Sequence, residues 1–387
     1  MYKISTLNKI SQVGLDCFGE DYCICDSSAA ETEAAGILVR SQDMHEMTFG
    51  KELLAIARAG AGVNNIPLDR CAENGIVVFN TPGANANSVK ELIIGSMIIA
   101  VRNIAQAFAW TNDLIANHDG SDDIAKAVEK GKSKFAGNEI KGKTLGVVGL
   151  GAIGAMVAKS ALDLGMNVCG YDPYLSVPAA LRLDPKVKLI NKLEELLPQS
   201  DVITLHLPAL DSTKGMINSE MLSSFKDGAI LLNFSRDKLV VEADILAALE
   251  SGKLSKYVTD FATAGILGKA NVVCTPHLGA STEEAEDNCA IMAAHEIMDY
   301  IERGEIVNSV NFPMVTLTDS SKHRVAIITN GIEDPVKCAA SALEGITIKS
   351  IAGAVRNGHG YVLLGTDDEI NPEAVTGEGI VRVRVIY

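Results

Sequence analysis

Two residues sit directly after apolar runs, at positions suited to chemistry. His277 lies in NVVCTPHLGAST, between Pro276 and a Leu-Gly pair, and Arg236 lies in AILLNFSRDK. An imidazole titrates near neutral pH and can pass a proton to or from a reacting oxygen. A guanidinium fork matches a carboxylate through two parallel N–H bonds. Together they suit acid–base chemistry on a small organic acid. A working histidine usually leans on a carboxylate, yet no Asp or Glu occurs between Asp260 and Glu283.

Other polar residues end apolar runs in the same way: Arg40-Ser41, the Gly60–Asn64 stretch with Gly62, Asn85, His206 and Asp260. If those runs are strands of parallel sheets, their carboxyl ends are where ligands bind. Two cations, two histidines and several amide or hydroxyl groups then gather at one edge of the sheets. That set suits an anionic substrate beside a nicotinamide. His206 also reads as a simple strand cap, and Arg40 as a surface charge.

The segment TLGVVGLGAIGAMVAKSALDLG spaces Gly149, Gly151 and Gly154 as G-x-G-x-x-G, with a strand-like run before it and an Ala-rich helix, opened by Ala152 and Ile153, after it. The first glycine permits a tight turn, the second lets a pyrophosphate approach the backbone, and the third permits close helix–strand packing. The helix N-terminus offers unpaired N–H groups to that anion. The next run, MNVCGYD, ends in Asp172. A carboxylate there grips the adenosine ribose and repels a 2′-phosphate, which favours NAD over NADP.

The elements that must carry these groups are legible in the alternation of short apolar runs with helix-length segments over the first three hundred residues. Nearly continuous β-branched strands of this kind predict parallel sheets covered on both faces, in two successive α/β units. VNSVNFPMVTLTDSSKHR (307–324) reads as an exit linker, and the remainder as a small β-rich α+β module. The lysine-rich segment Lys126–Lys143 is either a solvated crossover or a source of charge for a phosphate site. The chain has 387 residues, enough for two or three domains. Net charge is −15, which argues against a nucleic-acid partner. LIIGSMIIAV (92–101) is too short to span a bilayer and reads as a core or interface helix. The N-terminal MYKISTLNKI does not resemble a signal peptide. Eight scattered cysteines, with Cys23 and Cys25 alternating in a strand, read as structural thiols of a reduced, cytoplasmic protein, with no metal site.

GLGAIG, the Asp172 strand end, NFSR followed by VEADILAALESGKL, the strand ending in Asp260, and TPHLGAST together resemble the D-isomer-specific 2-hydroxyacid dehydrogenases. RSQ (40–42), RAGAGVNNI (58–66) and NTPGANANSVKEL (80–92) narrow the likeness to the branch acting on 3-phospho-D-glycerate. The resemblance covers about residues 35–312. It implies a flavodoxin-like substrate domain made of 1–92 and 289–312, a Rossmann-type NAD domain over 93–288, a cleft between them, and an ACT-like module over 318–387. It also implies a homodimer or homotetramer.

Carried over by resemblance, Arg236 binds the substrate carboxylate and carbonyl, and His277 is the acid–base. Arg40, Ser41, Gly62 and Asn85 meet the substrate or its phosphate. Asp260 meets the nicotinamide carboxamide, and His206, Pro208, Ser235 and Gly279 line the cofactor. The implied reaction is NAD-dependent oxidation of 3-phospho-D-glycerate to 3-phosphohydroxypyruvate, the entry to serine synthesis. A glyoxylate or hydroxypyruvate reductase and a catalytically weakened NAD-binding regulator are the alternatives. The family's carboxylate partner for the histidine corresponds to about Ala264 here. Such a partner raises an imidazole pKa by ~1–3 units, so its loss predicts a lower pH optimum for ketone reduction or weak turnover. In the C-terminal module, NGIEDPVKC lacks the loop associated with serine binding, which leaves open a serine effector or a purely oligomer-forming role.

Overall fold

The computed structural model describes residues 1–117 and 121–387, which form two compact units: Met1–Asn85 with Glu283–Tyr387, and Ala86–Thr282. In the first unit, five parallel strands run β1 (Tyr2–Leu7), β2 (Tyr22–Cys25), β3 (Gly36–Val39), β4 (Ala55–Arg58) and β5 (Val77–Asn80), in the order β2-β1-β3-β4-β5. This is the flavodoxin-like order. Every residue of β3 is buried, as a strand covered on both faces requires. The helix Glu283–Arg303 returns the chain to this sheet. Its small and apolar face, with Cys289, Ala290, Ala293, Ile297 and Tyr300, shares one core with Ile4, Ala57 and Phe79.

The stretch that reads as an exit linker is partly seated on the same sheet. Val310 N–H donates to the Val78 carbonyl at 2.9 Å, and the Asn311 side chain accepts from Val78 N–H and donates to the Ile76 carbonyl, each at 2.9 Å. Ser309 and Asn311 are buried, and a polar composition hides this because each polar atom finds a partner.

The second unit holds seven parallel strands: β6 (Thr144–Val148), β7 (Asn167–Tyr171), β8 (Lys188–Leu189), β9 (Val202–Leu205), β10 (Ala229–Asn233), β11 (Leu254–Thr259) and β12 (Val272–Cys274). Their order is β12-β11-β10-β9-β6-β7-β8, the doubly wound arrangement in which the order reverses beside β6. One core covers each face of the sheet. The apolar run at 92–101 belongs to the helix Ala86–Val101, which buries Val89, Ile93 and Met97 against Val147, Leu232 and Val258. Among the described residues no single helix is long and apolar enough to cross a membrane.

The remaining strands, β13 (His323–Asn330), β14 (Ile348–Arg356), β15 (His359–Thr366) and β16 (Ile380–Ile386), pair antiparallel as β14-β15-β13-β16. The helix Pro335–Ala342 follows β13, and a 3₁₀ turn at Pro372–Ala374 precedes β16. Alternating residues serve two faces. Val325, Ile327, Val362 and Leu364 pack with Ala339 and Leu343, whereas Ala326, Ile328, Tyr361 and Leu363 join the core of the helix Glu283–Arg303. Arg384 fixes that contact by donating to the Tyr300 and Ile301 carbonyls near the end of the helix. The C-terminal sheet therefore has one core of its own and shares another with the helix Glu283–Arg303 and the parallel sheet of the same unit.

Candidate active site

The glycine turn after β6 has the geometry its sequence demands. Gly149 has φ +95°, and a Cβ there would collide with the His206 carbonyl oxygen. A Cβ on Gly154 would collide with the Gly149 carbonyl, so the helix can sit this close to the turn only without a side chain. Gly151 differs: nothing lies within 4 Å of its missing Cβ, and it is exposed. It is the N-cap of the helix Ala152–Asp163 and has no side chain to satisfy the first amides, including those of Ala152 and Ile153. An open surface over unpaired N–H groups fits a pyrophosphate.

At the end of β7, the Asp172 carboxylate accepts from Leu150 N–H and Tyr174 N–H, each at 2.9 Å. The first bond ties it to the glycine turn itself. A fixed anion beside that turn suits a ribose diol and disfavours a second phosphate.

The ends of β9 to β12 carry the other groups of this unit. His206 N–H donates to the Val148 carbonyl at 2.7 Å, and its Nε2 lies 3.0 Å from Thr204 Oγ1. Burial pushes the His206 imidazole down to about 3, so it stays neutral. Pro208 is exposed, and its carbonyl accepts from Thr213 Oγ1. Ser235 Oγ donates to the Leu205 carbonyl at 2.6 Å, which ties the end of β10 to β9. Arg236 follows, exposed, its own carbonyl held by Asn233 Nδ2 at 2.9 Å.

Asp260, one residue past β11, is 2% exposed, and neither carboxylate oxygen has a hydrogen-bond partner of normal geometry. Burial pushes its carboxyl up, opposed first by the charge of His277 and also by the Gly279 amide and Arg236. His277 is exposed, its ring edge-on to Phe261 with centroids 4.9 Å apart. The structure thus brings Arg236, Asp260, His277 and Gly279 together at neighbouring strand ends.

Ala264 is exposed, and no carboxylate replaces it in the 261–265 loop. That loop is held from below by Glu242, which accepts from Thr263 Oγ1 and occupies the space a Cβ on Gly265 would need. In the sequence Glu242 is indistinguishable from an ordinary helix-dipole acid, since it lies in the first turn of the helix Glu242–Glu250, where acids are common.

In the first unit, Arg40 and Ser41 follow β3. Arg40 pairs with Glu286 at 2.7 Å, and Ser41 N–H donates to Asn8 Oδ1 at 3.0 Å. A second guanidinium, missed in the sequence, ends the adjacent β4: Arg58 Nε donates to the Arg40 carbonyl at 3.0 Å. In the sequence it reads as the middle of LLAIARAG rather than as a strand end. Gly62 lies in the loop after β4, held at Ala61 by Asn80 Nδ2 at 2.6 Å, and Asn85 is the last residue of the unit's first segment.

Residues 94–279 match the D-isomer specific 2-hydroxyacid dehydrogenase NAD binding domain. The D-3-phosphoglycerate dehydrogenase of Methanocaldococcus jannaschii is 38% identical over 272 residues, 68% of this chain and 49% of that protein. The chain thus spans about half the length of that relative. The Bacillus subtilis protein of the same name is 30% identical over 374 residues, 90% of this chain and 68% of its own length. Among solved structures, an NAD+-bound 3-phosphoglycerate dehydrogenase from Entamoeba histolytica has a TM-score of 0.61 at 28% identity, covering 80% of this chain and 98% of that one.

Proposed function

The chain belongs to the D-isomer-specific 2-hydroxyacid dehydrogenases, and within that family we propose that it interconverts 3-phospho-D-glycerate and 3-phosphohydroxypyruvate with NAD. The observation that carries this reading is the trio at adjacent strand ends of the NAD-binding unit: exposed Arg236 after β10, buried Asp260 after β11 and exposed His277 after β12. Bound NAD supplies the hydride acceptor. Gly151 with the amides of Ala152 and Ile153 holds its pyrophosphate, and Asp172 its adenosine ribose.

The protein's own side chains do the rest. Arg236 grips the substrate carboxylate and so orients the carbon that loses or gains hydride. His277 takes the hydroxyl proton in oxidation and returns it to the carbonyl oxygen in reduction. Asp260, buried after β11 beside His277 and Arg236, is placed to meet the nicotinamide carboxamide. Arg40 and Arg58 are the cations for the phosphate. Arg40 exchanges its bond to Glu286 for one to the ligand, so the net gain there is smaller than for an unpaired guanidinium.

The test is NADH oxidation with 3-phosphohydroxypyruvate, hydroxypyruvate and glyoxylate, in wild type and Arg40→Ala. Preference for the phosphorylated acid, with KM raised roughly tenfold by the substitution and kcat little changed, is the expected result. Equal or better turnover of the unphosphorylated acids, with KM indifferent to Arg40, would favour the reductase alternative. No turnover of any of them would favour the regulator.

A further inference from the structure

Glu296 is an acid in the core of the first unit that the chemistry above does not use. It lies on the inner face of the helix Glu283–Arg303 and is 7% exposed. Asn308 Nδ2 donates to its Oε1 at 2.6 Å, while Oε2 is buried without a partner among the described residues. One turn further along the same face, the Tyr300 hydroxyl is also buried and unpartnered. An acid left half-satisfied in a core costs stability.

Its one partner leads to the candidate substrate loop. The Asn308 carbonyl accepts from Asn80 N–H at 3.4 Å, and the Asn80 side chain crosses to the Ala61 carbonyl at 2.6 Å. Thr81 N–H donates to the Gly60 carbonyl at 3.2 Å, so the loop after β4 is held from the end of β5 at two adjacent points. We propose that Glu296 is a positioning residue: through Asn308 and Asn80 it sets the Gly60–Asn64 loop, and so the binding of the phosphorylated acid. The inference rests on the function proposed above for the loop's role, but not for the relay itself.

The arrangement favours the neutral acid. Burial pushes the Glu296 carboxyl up to about 8, Asn308 opposes this, and Asp299 on the same helix adds to it. Among the described residues, no cation offsets the burial. Of the elements packed on this helix, Gln12–Leu15, β3 and β5 carry no ionisable side chain. Arg58 of β4 donates to the Arg40 carbonyl, and Arg382 and Arg384 of β16 donate to the backbone at Leu53, Tyr300 and Ile301. Ionisation above that range places an unpaired charge beside Asn308 and loosens the relay.

The full-length chain is compared as wild type, Glu296→Gln, Glu296→Ala and Asn308→Ala, with two readouts. One is KM and kcat for 3-phosphohydroxypyruvate from pH 6.5 to 9.5. The other is amide hydrogen exchange of the peptide covering 60–66, which needs no turnover. Wild type should lose substrate affinity above pH 8, and Asn308→Ala should show a roughly three- to tenfold higher KM at all pH values with kcat within about twofold. Glu296→Gln, which keeps the acceptor and stays neutral, should hold a wild-type KM and flatten its pH dependence. Exchange at 60–66 should rise in both alanine variants and not in Glu296→Gln. Unchanged KM and exchange in Asn308→Ala, or a wild-type KM–pH curve in Glu296→Gln, would overturn the relay. If wild type turns over no phosphorylated acid, the function fails, and the exchange measurement alone decides the relay.

Discussion

Replacing Glu296 with glutamine should change the pH dependence of stability by an amount the structure sets. The folded-state carboxyl titrates near 8, against an ordinary value of 4.5. Between those values the native state keeps a proton that the unfolded chain releases, so unfolding releases a proton and stability falls as pH rises. The slope is about 1.36 kcal/mol per pH unit, which removes about 3 kcal/mol by pH 7 and about 4 kcal/mol by pH 8, approaching a limit of about 5 kcal/mol by pH 9. Glutamine is of similar shape and has no such loss. The difference in unfolding free energy, variant minus wild type, should therefore climb from pH 5 to pH 8 and then level off. Urea titrations of both proteins at pH 5, 6, 7, 8 and 9, followed by circular dichroism, measure it. A pH-independent offset added to that climb would reflect only how well the amide packs. A difference flat across pH would refute the claim that Glu296 is protonated in the folded protein.

The glycine turn should separate folding from binding. Gly154→Ala forces a methyl into the Gly149 carbonyl and should cost about 1–3 kcal/mol in thermal or urea unfolding. Gly151→Ala, with open space around it, should unfold like wild type yet weaken NADH at least tenfold in a fluorescence titration; equal NADH affinity would take the pyrophosphate away from this turn. Asp172→Ser should reduce the NADH-to-NADPH ratio of kcat/KM by a factor on the order of ten or more, since it removes the anion that repels the 2′-phosphate; an unchanged ratio would assign coenzyme choice elsewhere. Ala264→Glu adds an acid at an exposed site, so its stability should stay within about 0.5 kcal/mol of wild type. The midpoint of its pH profile for reduction should rise by roughly one unit, and a profile that does not move would leave Asp260 as the charge that matters to His277.

What the sequence made legible depends on how local the physics is. Gly149 and Gly154 answer to backbone within a few residues or to an adjacent strand, so the need for glycine there was legible from their spacing between a strand-like run and a helix. The sheet edges were likewise readable, because β-branched runs end where polar residues begin. Arg58 was lost because its run continues into small residues and the strand end is set by pairing with β3 and β5. Ser309 and Asn311 look like linker because their burial depends on β5, more than two hundred residues earlier. Glu296 has the same difficulty: within EEAEDNCAIMAAHEIMDYIER an acid reads as the wet face of a helix. Only the position of Asn308 and the packing of the sheet show that it faces inward.

The first unit is interrupted between Asn85 and Glu283 by the whole of the second, and this has a consequence for synthesis. At roughly 5–20 residues per second, the helix Glu283–Arg303 follows β1 from the ribosome by some ~15–60 s. During that interval β1 to β5 lack the partner that covers Ile4, Ala57 and Phe79. The nucleotide-binding half, made of one uninterrupted segment, can close first. The earliest-made sheet is therefore the last to be finished, and its apolar face stays without this helix while the whole of the second unit is being made.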